Sequence, residues 1–302
     1  MHALIRVTPS IEGALRRGEP VVALESSVLA QGLPIPHNRE AATRMLAAVT
    51  NAGATPAITA VVAGSATVGL AADELERFLA RDGVRKVSAR DVPSAIVKAQ
   101  DGATTVAASI MLAAAVGIEV FATGGIGGVH RDAPFDESAD LAELARTPMI
   151  VVCAGAKSIL DLRATWERLE TLGVSVIGYR TNEFPGFFSA ETGIKLDTRV
   201  DDVAEIVALY RAHRALGRLQ AILVAQPPQS NTALPRASVD EAVEQAQSEA
   251  RRDGIQGADV TPYLLAAVNR LTEGGSLAAN LALLEQNAAL AGKIATMCSS
   301  RR

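Results

Sequence analysis

The sequence predicts an α/β fold, a single layered α/β/α domain with a mostly parallel central sheet and C-terminal helices. Short runs rich in Val, Ile and Ala recur without alternating polar residues, as in parallel strands buried on both faces. Segments with helical periodicity separate these runs from residue 20 to about residue 254. From residue 261 onward the sequence has helical periodicity only.

One domain over residues 1–302 is favoured, with an N-terminal extension at 1–18 and a helical C-terminal part at 261–302. A chain of this length could also form two smaller domains. However, no internal repeat, low-complexity tract or linker rich in Pro and Ser divides the sequence.

Seven apolar runs are the predicted strands. In chain order they are PVVALESS, PAITAVVAG, VRKVS, IEVFATGG, MIVVCAG, VSVIGY and AILVAQP. In open α/β sheets, ligands bind at the carboxyl ends of the strands, and these ends meet at one edge. The side chains expected on that edge are Glu25, His130, Arg131, Lys157 and Asn182.

Helices are predicted where start and stop signals enclose a periodic segment. NREAATRMLAAVTNAG is closed by Gly53, SADLAELARTP is opened by Ser138, and VDEAVEQAQSEARRDG is closed by Gly254. In the tail, TPYLLAAVNRLT begins at Thr261 and SLAANLALLEQNAALAGKIATMC begins at Ser276.

Composition limits the partners and the compartment. A net charge of −4 argues against nucleic acid or an anionic membrane as the main partner. Two cysteines and no visible signal peptide favour a reducing, cytoplasmic location. The most apolar window, ATTVAASIMLAAAVGIEVFATGGIGG, meets Glu119 before the roughly 20 residues that a membrane span needs. We expect a buried helix followed by a buried strand there.

Lys157 is the first candidate for chemistry. The sequence has 5 lysines and 24 arginines, yet it places a lysine after the small-residue turn of MIVVCAGAKSILD. An amine near apolar walls or a second cation loses its proton and can form a Schiff base with a carbonyl carbon. Alternatively, Lys157 starts a helix and pairs with a carboxylate or extends to water. Helix N-termini disfavour cations, which favours the first interpretation.

Glu25 is the second candidate, because it follows VVAL where the first strand leaves the sheet. A half-buried carboxylic acid at such a position can serve as a general acid. A carboxylate that caps a loop or helix is the alternative.

The segment TGGIGGVHRDAPFDESADL has the highest density of candidates. Its four glycines permit close approach to an anion such as phosphate, although their spacing is not the dinucleotide fingerprint. Arg131 adds a phosphate-binding fork, and His130 is an acid or base, a polar contact or a structural residue. Asp136 and Asp140 offer hard oxygens for Mg²⁺ or Mn²⁺, whereas Ser138 followed by Asp140 equally suits an ordinary helix start.

Three further positions are ambiguous. Lys86, at the end of VRKVS, supplies a second cation or an ordinary surface charge. GATTVAAS presents small and hydroxyl residues at a helix start, which suits an anion site or close packing. Asn280 lies in an apolar helix, where its amide needs a partner from a ligand or from the backbone.

Together these motifs resemble pseudouridine-5′-phosphate glycosidases, a family that includes the indigoidine synthase A-like proteins. The resemblance runs in order over about residues 20–293, in VVALESSVLAQGLPIPHN, GATTVAAS, FATGGIGGVHR, VVCAGAKSILD, GYRTNEFPGFF and SLAANLALLEQNA. It implies reversible cleavage of the C–C glycosidic bond of pseudouridine 5′-phosphate to uracil and ribose 5-phosphate. It further implies one divalent metal per subunit, usually Mn²⁺, and a homotrimer.

The resemblance also implies a role for each matching residue. Lys157 matches the nucleophile that forms a Schiff base with ribose C1′, Glu25 the proton donor, and Asp136 the metal ligand. The positions matching substrate-binding residues are Lys86, Val106, Thr123, His130, Arg131, Ser138, Ala139, Asp140 and Asn280, the last as a contact to the uracil edge.

Two departures lie beside the expected metal site. The loop between His130 and Phe135 is shorter than in some relatives, and Glu137 replaces a more usual aliphatic residue. The alternative enzymes are a Schiff-base lyase or aldolase and an N-glycosidase acting on another phosphorylated sugar or nucleotide. The non-enzymatic alternative is a regulatory protein that binds a phosphorylated metabolite without turnover.

Overall fold

A computed structural model describes residues 4–131, 135–255, 257 and 260–300 of the protein. Within them the strands are β1 (Ile5–Val7), β2 (Val21–Leu24), β3 (Thr55–Val62), β4 (Ser65–Val68), β5 (Arg85–Val87), β6 (Gly102–Thr104), β7 (Val120–Ala122), β8 (Val129–His130), β9 (Ile150–Cys153), β10 (Leu160–Asp161), β11 (Ser175–Tyr179), β12 (Arg199–Val200) and β13 (Ile222–Ala225). The helices are α1 (Pro9–Arg17), α2 (His37–Asn51), α3 (Ala72–Ala80), α4 (Val92–Val97), α5 (Val106–Ala115), α6 (Ala139–Leu144), α7 (Leu162–Thr171), α8 (Val203–Ala215), α9 (Arg236–Arg252), α10 (Val260–Leu271) and α11 (Gly275–Ser299).

The predicted α/β architecture is confirmed. Each of the seven apolar runs contains a strand, namely β2, β3, β5, β7, β9, β11 and β13. Six of them lie side by side in the order β3–β2–β7–β9–β13–β11, and every neighbouring pair is parallel. All four residues of β9 and of β13 are buried, as continuous apolar runs require when helices cover both faces.

Strand β3 belongs to two parts of the sheet. Its first half pairs parallel with β2, where Ile58 lies opposite Leu24. Its second half pairs antiparallel with β4 and β6. Strand β5 joins this second part through β6 and not the main parallel array. Because β6 runs antiparallel to β3, its carboxyl end arrives beside the carboxyl end of β2, and it brings the start of α5 with it.

Residues before β2 take part in both the sheet and the core. Strand β1 pairs parallel with β4, with Ile5 opposite Ala66. Helix α1 buries Ile11 and Ala14 in the main hydrophobic cluster. The segment predicted as an N-terminal extension therefore adds an edge strand and a helix.

The helices follow the predicted signals closely. Helix α2 ends two residues before Gly53, and α9 ends two residues before Gly254, and both glycines have positive φ. The apolar window is the buried α5 followed by the buried β7, as predicted. Helix α11 packs on α2 and on strands β2, β7 and β9. Among the described residues, no helix is both long and apolar enough to cross a membrane.

Candidate active site

Three neighbouring strands deliver candidate residues to one edge of the sheet. Glu25 follows β2, Thr123 follows β7, and Lys157 lies four residues beyond β9. These strands are adjacent and parallel, so their carboxyl ends lie together. The structure thus places the carboxylate and the amine on the same edge.

The Glu25 carboxylate is buried and accepts a hydrogen bond at each oxygen. The side chain of Thr123 donates from Oγ1 to Oε1 at 2.5 Å, and Ser27 donates from Oγ to Oε2 at 2.5 Å. The residue is only 4% exposed. Ser27 was missed in the sequence, although a hydroxyl two residues after the acid in LESS is a usable signal. Two hydroxyl donors hold the carboxylate in one orientation.

Lys157 does not start a helix, and that alternative is wrong. Gly155 has φ +82°, and the backbone N–H of Lys157 donates to the carbonyl of Ile126 at 3.1 Å. Helix α7 begins only at Leu162, after Asp161 caps it by accepting from the N–H of Ala164. Within the described part of the chain, the amine of half-buried Lys157 has no hydrogen bond or ion pair. It is therefore available to a ligand.

Lys86 in β5 is a second cation at this site, because its charge interacts with the charges of Lys157, Asp140 and Glu25. Part of its side chain is accessible to water, but protein surrounds it on enough sides to remove hydration. This burial lowers the pKa of Lys86, and the positive charge of Lys157 lowers it further. The two acidic groups act in the opposite direction.

Asp140 joins two segments of the site. Its Oδ1 accepts from the N–H of Ala107 at 2.9 Å, and its Oδ2 accepts from the N–H of Gly127 at 2.8 Å. Ser138 caps α6, because its hydroxyl accepts from the N–H of Asp140, so this segment is a helix start as the alternative predicted. The carboxylate ties the first turn of α5 to the glycine segment.

The glycines at 124–128 pack against other parts of the protein. Their N–H groups were expected to be exposed to an anion, and for Gly127 this prediction is wrong. All of them are buried, and Gly127 uses its N–H on Asp140. A Cβ on Gly125 would overlap the ring of Phe187, and one on Gly128 would overlap Thr165. Close packing explains these glycines.

Replacing Gly127 with alanine is expected to lower the free energy of unfolding by about 1–3 kcal/mol. The new Cβ would overlap Ser138 Oγ and lie 2.9 Å from Asp140 Oδ2. Denaturant titration measures the change. Gly13→Ala in α1 is the control, because its Cβ would meet only the mobile end of Arg17 at 3.1 Å. An equal loss in both variants would contradict the packing argument.

Arg131 and His130 form hydrogen bonds or strand pairing with the residues that follow Lys157. Arg131 donates from Nε to the carbonyl of Leu160 at 3.1 Å and from Nη2 to that of Ser158 at 3.2 Å. His130 pairs with Leu160 in the short antiparallel ladder of β8 and β10. Arg131 thus secures the segment that follows the lysine, and its predicted phosphate contact stays a prediction.

The expected metal site contains one available carboxylate among the described residues. Asp136 is exposed, whereas both oxygens of Asp140 accept backbone N–H groups. Glu137 pairs with Arg168 at 2.9 Å. Within those residues, no group of three His, Cys, Asp or Glu side chains could hold a metal. Residues 132–134 of the shortened loop are outside the described part of the chain. One exposed carboxylate does not by itself form a metal site, so the metal at Asp136 stays a prediction.

Helix α11 contains two buried asparagines. Asn280 is 6% exposed, and its Oδ1 has no hydrogen-bond partner within the described residues. The predicted contact of Asn280 to a ligand stays a prediction. Asn287, two turns later, is fully buried and donates from Nδ2 to the carbonyl of Thr123 at 2.9 Å. The seven-residue spacing of these asparagines was the overlooked signal.

The remaining predicted positions lie at the start of α5 and in α6. Val106 is the buried first residue of α5, and the exposed Ala139 opens α6. Thr105, which precedes α5, has a buried Oγ1 without a hydrogen-bond partner in the described structure. An unsatisfied hydroxyl beside a helix N-terminus suits an anionic ligand.

Comparison with known proteins gives one consistent result. The model of the indigoidine synthase A-like protein family matches residues 10–297. A protein of Gemmatimonas aurantiaca named pseudouridine-5′-phosphate glycosidase is 63% identical over 96% of this chain and 95% of its own length. One of Herpetosiphon aurantiacus with the same name is 50% identical over 96% of each chain.

Solved structures agree with the sequence matches. The prealnumycin C-glycosynthase AlnA, in complex with ribulose 5-phosphate, superposes with a TM-score of 0.92 at 38% identity, covering 100% of this chain and 99% of that one. An indigoidine synthase A-like protein from Thermotoga maritima has a TM-score of 0.90 at 35% identity, covering 99% and 98%.

Proposed function

Because the chain belongs to the indigoidine synthase A-like protein family, we propose that it reversibly cleaves the C–C glycosidic bond of pseudouridine 5′-phosphate, giving uracil and ribose 5-phosphate. Relatives named for this activity support the substrate. A related C-glycosynthase in complex with a pentulose 5-phosphate supports chemistry at a C–C glycosidic bond. The protein is an enzyme with a small-molecule substrate.

The observation that carries this proposal is the Lys157 amine, which has no hydrogen bond or ion pair to any described residue and lies on the same edge as the Glu25 carboxylate. A C5 carbanion of uracil is a very poor leaving group, so protonating an oxygen, as O-glycosidases do, is not sufficient. A neutral amine at C1′ solves this problem by forming an imine. Arginine cannot lose its proton in proteins and cannot replace the lysine.

The proposed sequence begins with Glu25 as the carboxylic acid. It gives its proton to the ring oxygen and becomes the carboxylate, while electrons of the uracil ring break the bond between C1′ and that oxygen. The neutral Lys157 amine then adds to C1′. The resulting ammonium gives one proton to the Glu25 carboxylate, which restores the nitrogen lone pair. Glu25 then passes that proton to uracil C5, the lone pair forms the C=N bond as the C1′–C5 bond breaks, and uracil leaves. Water adds to the iminium, and its hydrolysis releases ribose 5-phosphate and the free amine.

The phosphate is proposed to bind at the start of α5 beside Lys86. The hydrogen-bonded ladder places Lys86 opposite Ala103 of β6, and β6 leads directly into α5 at Val106. The helix N-terminus contributes partial positive charge, although the N–H of Ala107 is already donated to Asp140. The unsatisfied Thr105 hydroxyl adds a donor. Holding the opened sugar at its phosphate keeps C1′ near the amine.

The affinity for the phosphate is expected to fall as pH rises. The fall should begin at a lower pH than it would if Lys86 had the pKa of an ordinary lysine. Burial and Lys157 lower the pKa of Lys86, so its charge is present below that lowered value and is lost as pH rises through it. Ribitol 5-phosphate, which has no aldehyde and forms no imine, is the probe for calorimetric titration. The expected loss of affinity is about tenfold.

Lys86→Arg is the matched control, since arginine stays charged across this range. Above the second pKa of the phosphate group, about 6, its affinity for ribitol 5-phosphate is expected to stay constant where that of the wild type falls. If wild type and variant show the same pH dependence, Lys86 is not the phosphate cation.

A divalent cation, Mn²⁺, is proposed to bind at Asp136 with water molecules completing its coordination. When bound, it would supply positive charge for the substrate's oxygens. A cytoplasmic homotrimer is likewise proposed. The resemblance supports the trimer, and a chain with only two cysteines, both buried, suits a reducing compartment.

The decisive assay follows uracil release from pseudouridine 5′-phosphate and from uridine 5′-phosphate, before and after chelation and with Mn²⁺ restored. Release from the first substrate alone is expected. Release only from uridine 5′-phosphate would indicate an N-glycosidase. Binding of ribose 5-phosphate with no turnover of either nucleotide would indicate a regulatory protein.

A further inference from the structure

Asn287 contacts the backbone that carries a Glu25 partner. It is 0% exposed, and its Nδ2 donates to the carbonyl of Thr123 at 2.9 Å, with a longer contact of 3.4 Å to the carbonyl of Gly124. Both partners are acceptors, so the amide must turn its NH₂ group towards them. Its Oδ1 has no hydrogen-bond partner among the described residues. Within them, the Asn287 side chain therefore forms hydrogen bonds only to these two carbonyls.

Thr123 is consequently held on three sides. Its N–H donates to the carbonyl of Val152 at 3.0 Å, its carbonyl accepts from Asn287, and its hydroxyl donates to Glu25. The next residue, Gly124, lies directly on α11, because a Cβ there would be 3.1 Å from Leu283 Cδ1. Few motions of Thr123 are available that would not break one of these contacts.

We infer that Asn287 is a positioning residue that holds the Glu25 carboxylate in place through Thr123. The inference rests on the proposed role of Glu25 in C–C bond cleavage. Asn287 touches no substrate in this scheme. It supplies the donor that the carbonyl of Thr123 needs where β7 ends, and it thereby sets the direction of the hydroxyl that meets Glu25.

The size of the expected effect follows from the geometry. Without the amide, the buried Thr123 carbonyl is left without this donor, and the end of β7 is free to shift. A displacement of about 1 Å in a catalytic group can cost about 100-fold in rate. Substrate binding at the phosphate does not involve this chain of contacts, so it should change little.

The test uses Asn287→Ala and the similarly shaped Asn287→Leu, assayed for uracil release from pseudouridine 5′-phosphate. We expect kcat to fall about 10- to 100-fold while KM stays within about threefold of wild type. Gln286→Ala is the matched control, since Gln286 also donates from α11 to a carbonyl, that of half-buried Pro227 at 2.9 Å. It has no hydrogen bond to Glu25 or Thr123 among the described residues. Its kcat should remain within about threefold of wild type.

A double-mutant cycle with Thr123→Val separates positioning from general destabilisation. If Asn287 acts through Thr123, the double variant loses no more than the larger single loss, and Thr123→Ser restores most of the rate. Multiplied losses, an equal fall in Gln286→Ala, or unfolding of both Asn287 variants would overturn the inference. Absence of uracil release by the wild type would instead overturn the proposed function.

Discussion

Lys157→Arg and Lys157→Ala are both expected to abolish uracil release from pseudouridine 5′-phosphate, by on the order of 10⁴-fold or more. The proposed imine needs a nitrogen that can lose its proton and become a neutral nucleophile, and neither replacement supplies one. Both variants should stay folded, because the Lys157 amine has no hydrogen bond or ion pair among the described residues. Steady-state assays and thermal unfolding measure the two properties.

Trapping of the imine gives an independent readout. Borohydride with ribose 5-phosphate should add the mass of the reduced sugar phosphate to the wild type at Lys157 and at no other lysine. Lys98→Arg is the matched control, since Lys98 is exposed at the end of α4, and it should retain both activity and labelling. A fully active Lys157→Arg variant would remove the Schiff base from the mechanism.

Glu25→Gln is expected to lower kcat by about 10²- to 10⁴-fold. Glutamine has nearly the same shape, and the hydroxyls of Ser27 and Thr123 can rotate to serve an amide, so the fold should persist. What the amide cannot do is deliver a proton to the ring oxygen. Stopped assays of uracil release against pH measure the loss.

The same variant separates the two catalytic roles. Ribose 5-phosphate already presents an aldehyde in its open form, so borohydride labelling of Lys157 should survive in Glu25→Gln. Glu12→Gln in α1 is the control, because Glu12 forms only a weak ion pair with Arg16 at 3.8 Å, outside the site. Unchanged turnover in Glu25→Gln would mean that another group protonates the ring oxygen.

Local patterns predicted the elements of this fold well. Continuous apolar runs are an intrinsic property of strands buried on both faces, and Gly53 and Gly254 adopt positive φ beyond the helices that they were predicted to end. The short edge strands were missed. Strand β1 has three residues and strand β12 has two. Both are stabilised by pairing with strands elsewhere in the sequence.

The glycine segment shows the limit of motif-based reasoning about a site. In the sequence, Gly125 and Gly127 suggest an anion-binding loop. In the structure, the atoms nearest to them belong to Phe187 and Ser138. Asp140 shows the same limit, since a carboxylate that suits a metal is instead satisfied by two backbone N–H groups. The contact of Gly125 with Phe187 and the two N–H donors of Asp140 could not be inferred from the sequence. In each case the partner lies in another segment of the chain.

By itself, the sequence determined the parallel α/β class, the strand ends that carry Glu25 and Lys157, and the family, because these depend on local periodicity and on motifs along the chain. Only the tertiary structure decided how Lys86 reaches the site, since β6 reverses direction against β3 and brings β5 and α5 to the edge where β2 ends. It also decided that the hydroxyl of Thr123 donates to Glu25 and that Asn287 supports Thr123. Hydrogen bonds between residues far apart in the chain follow from strand order and helix packing, which local sequence does not encode.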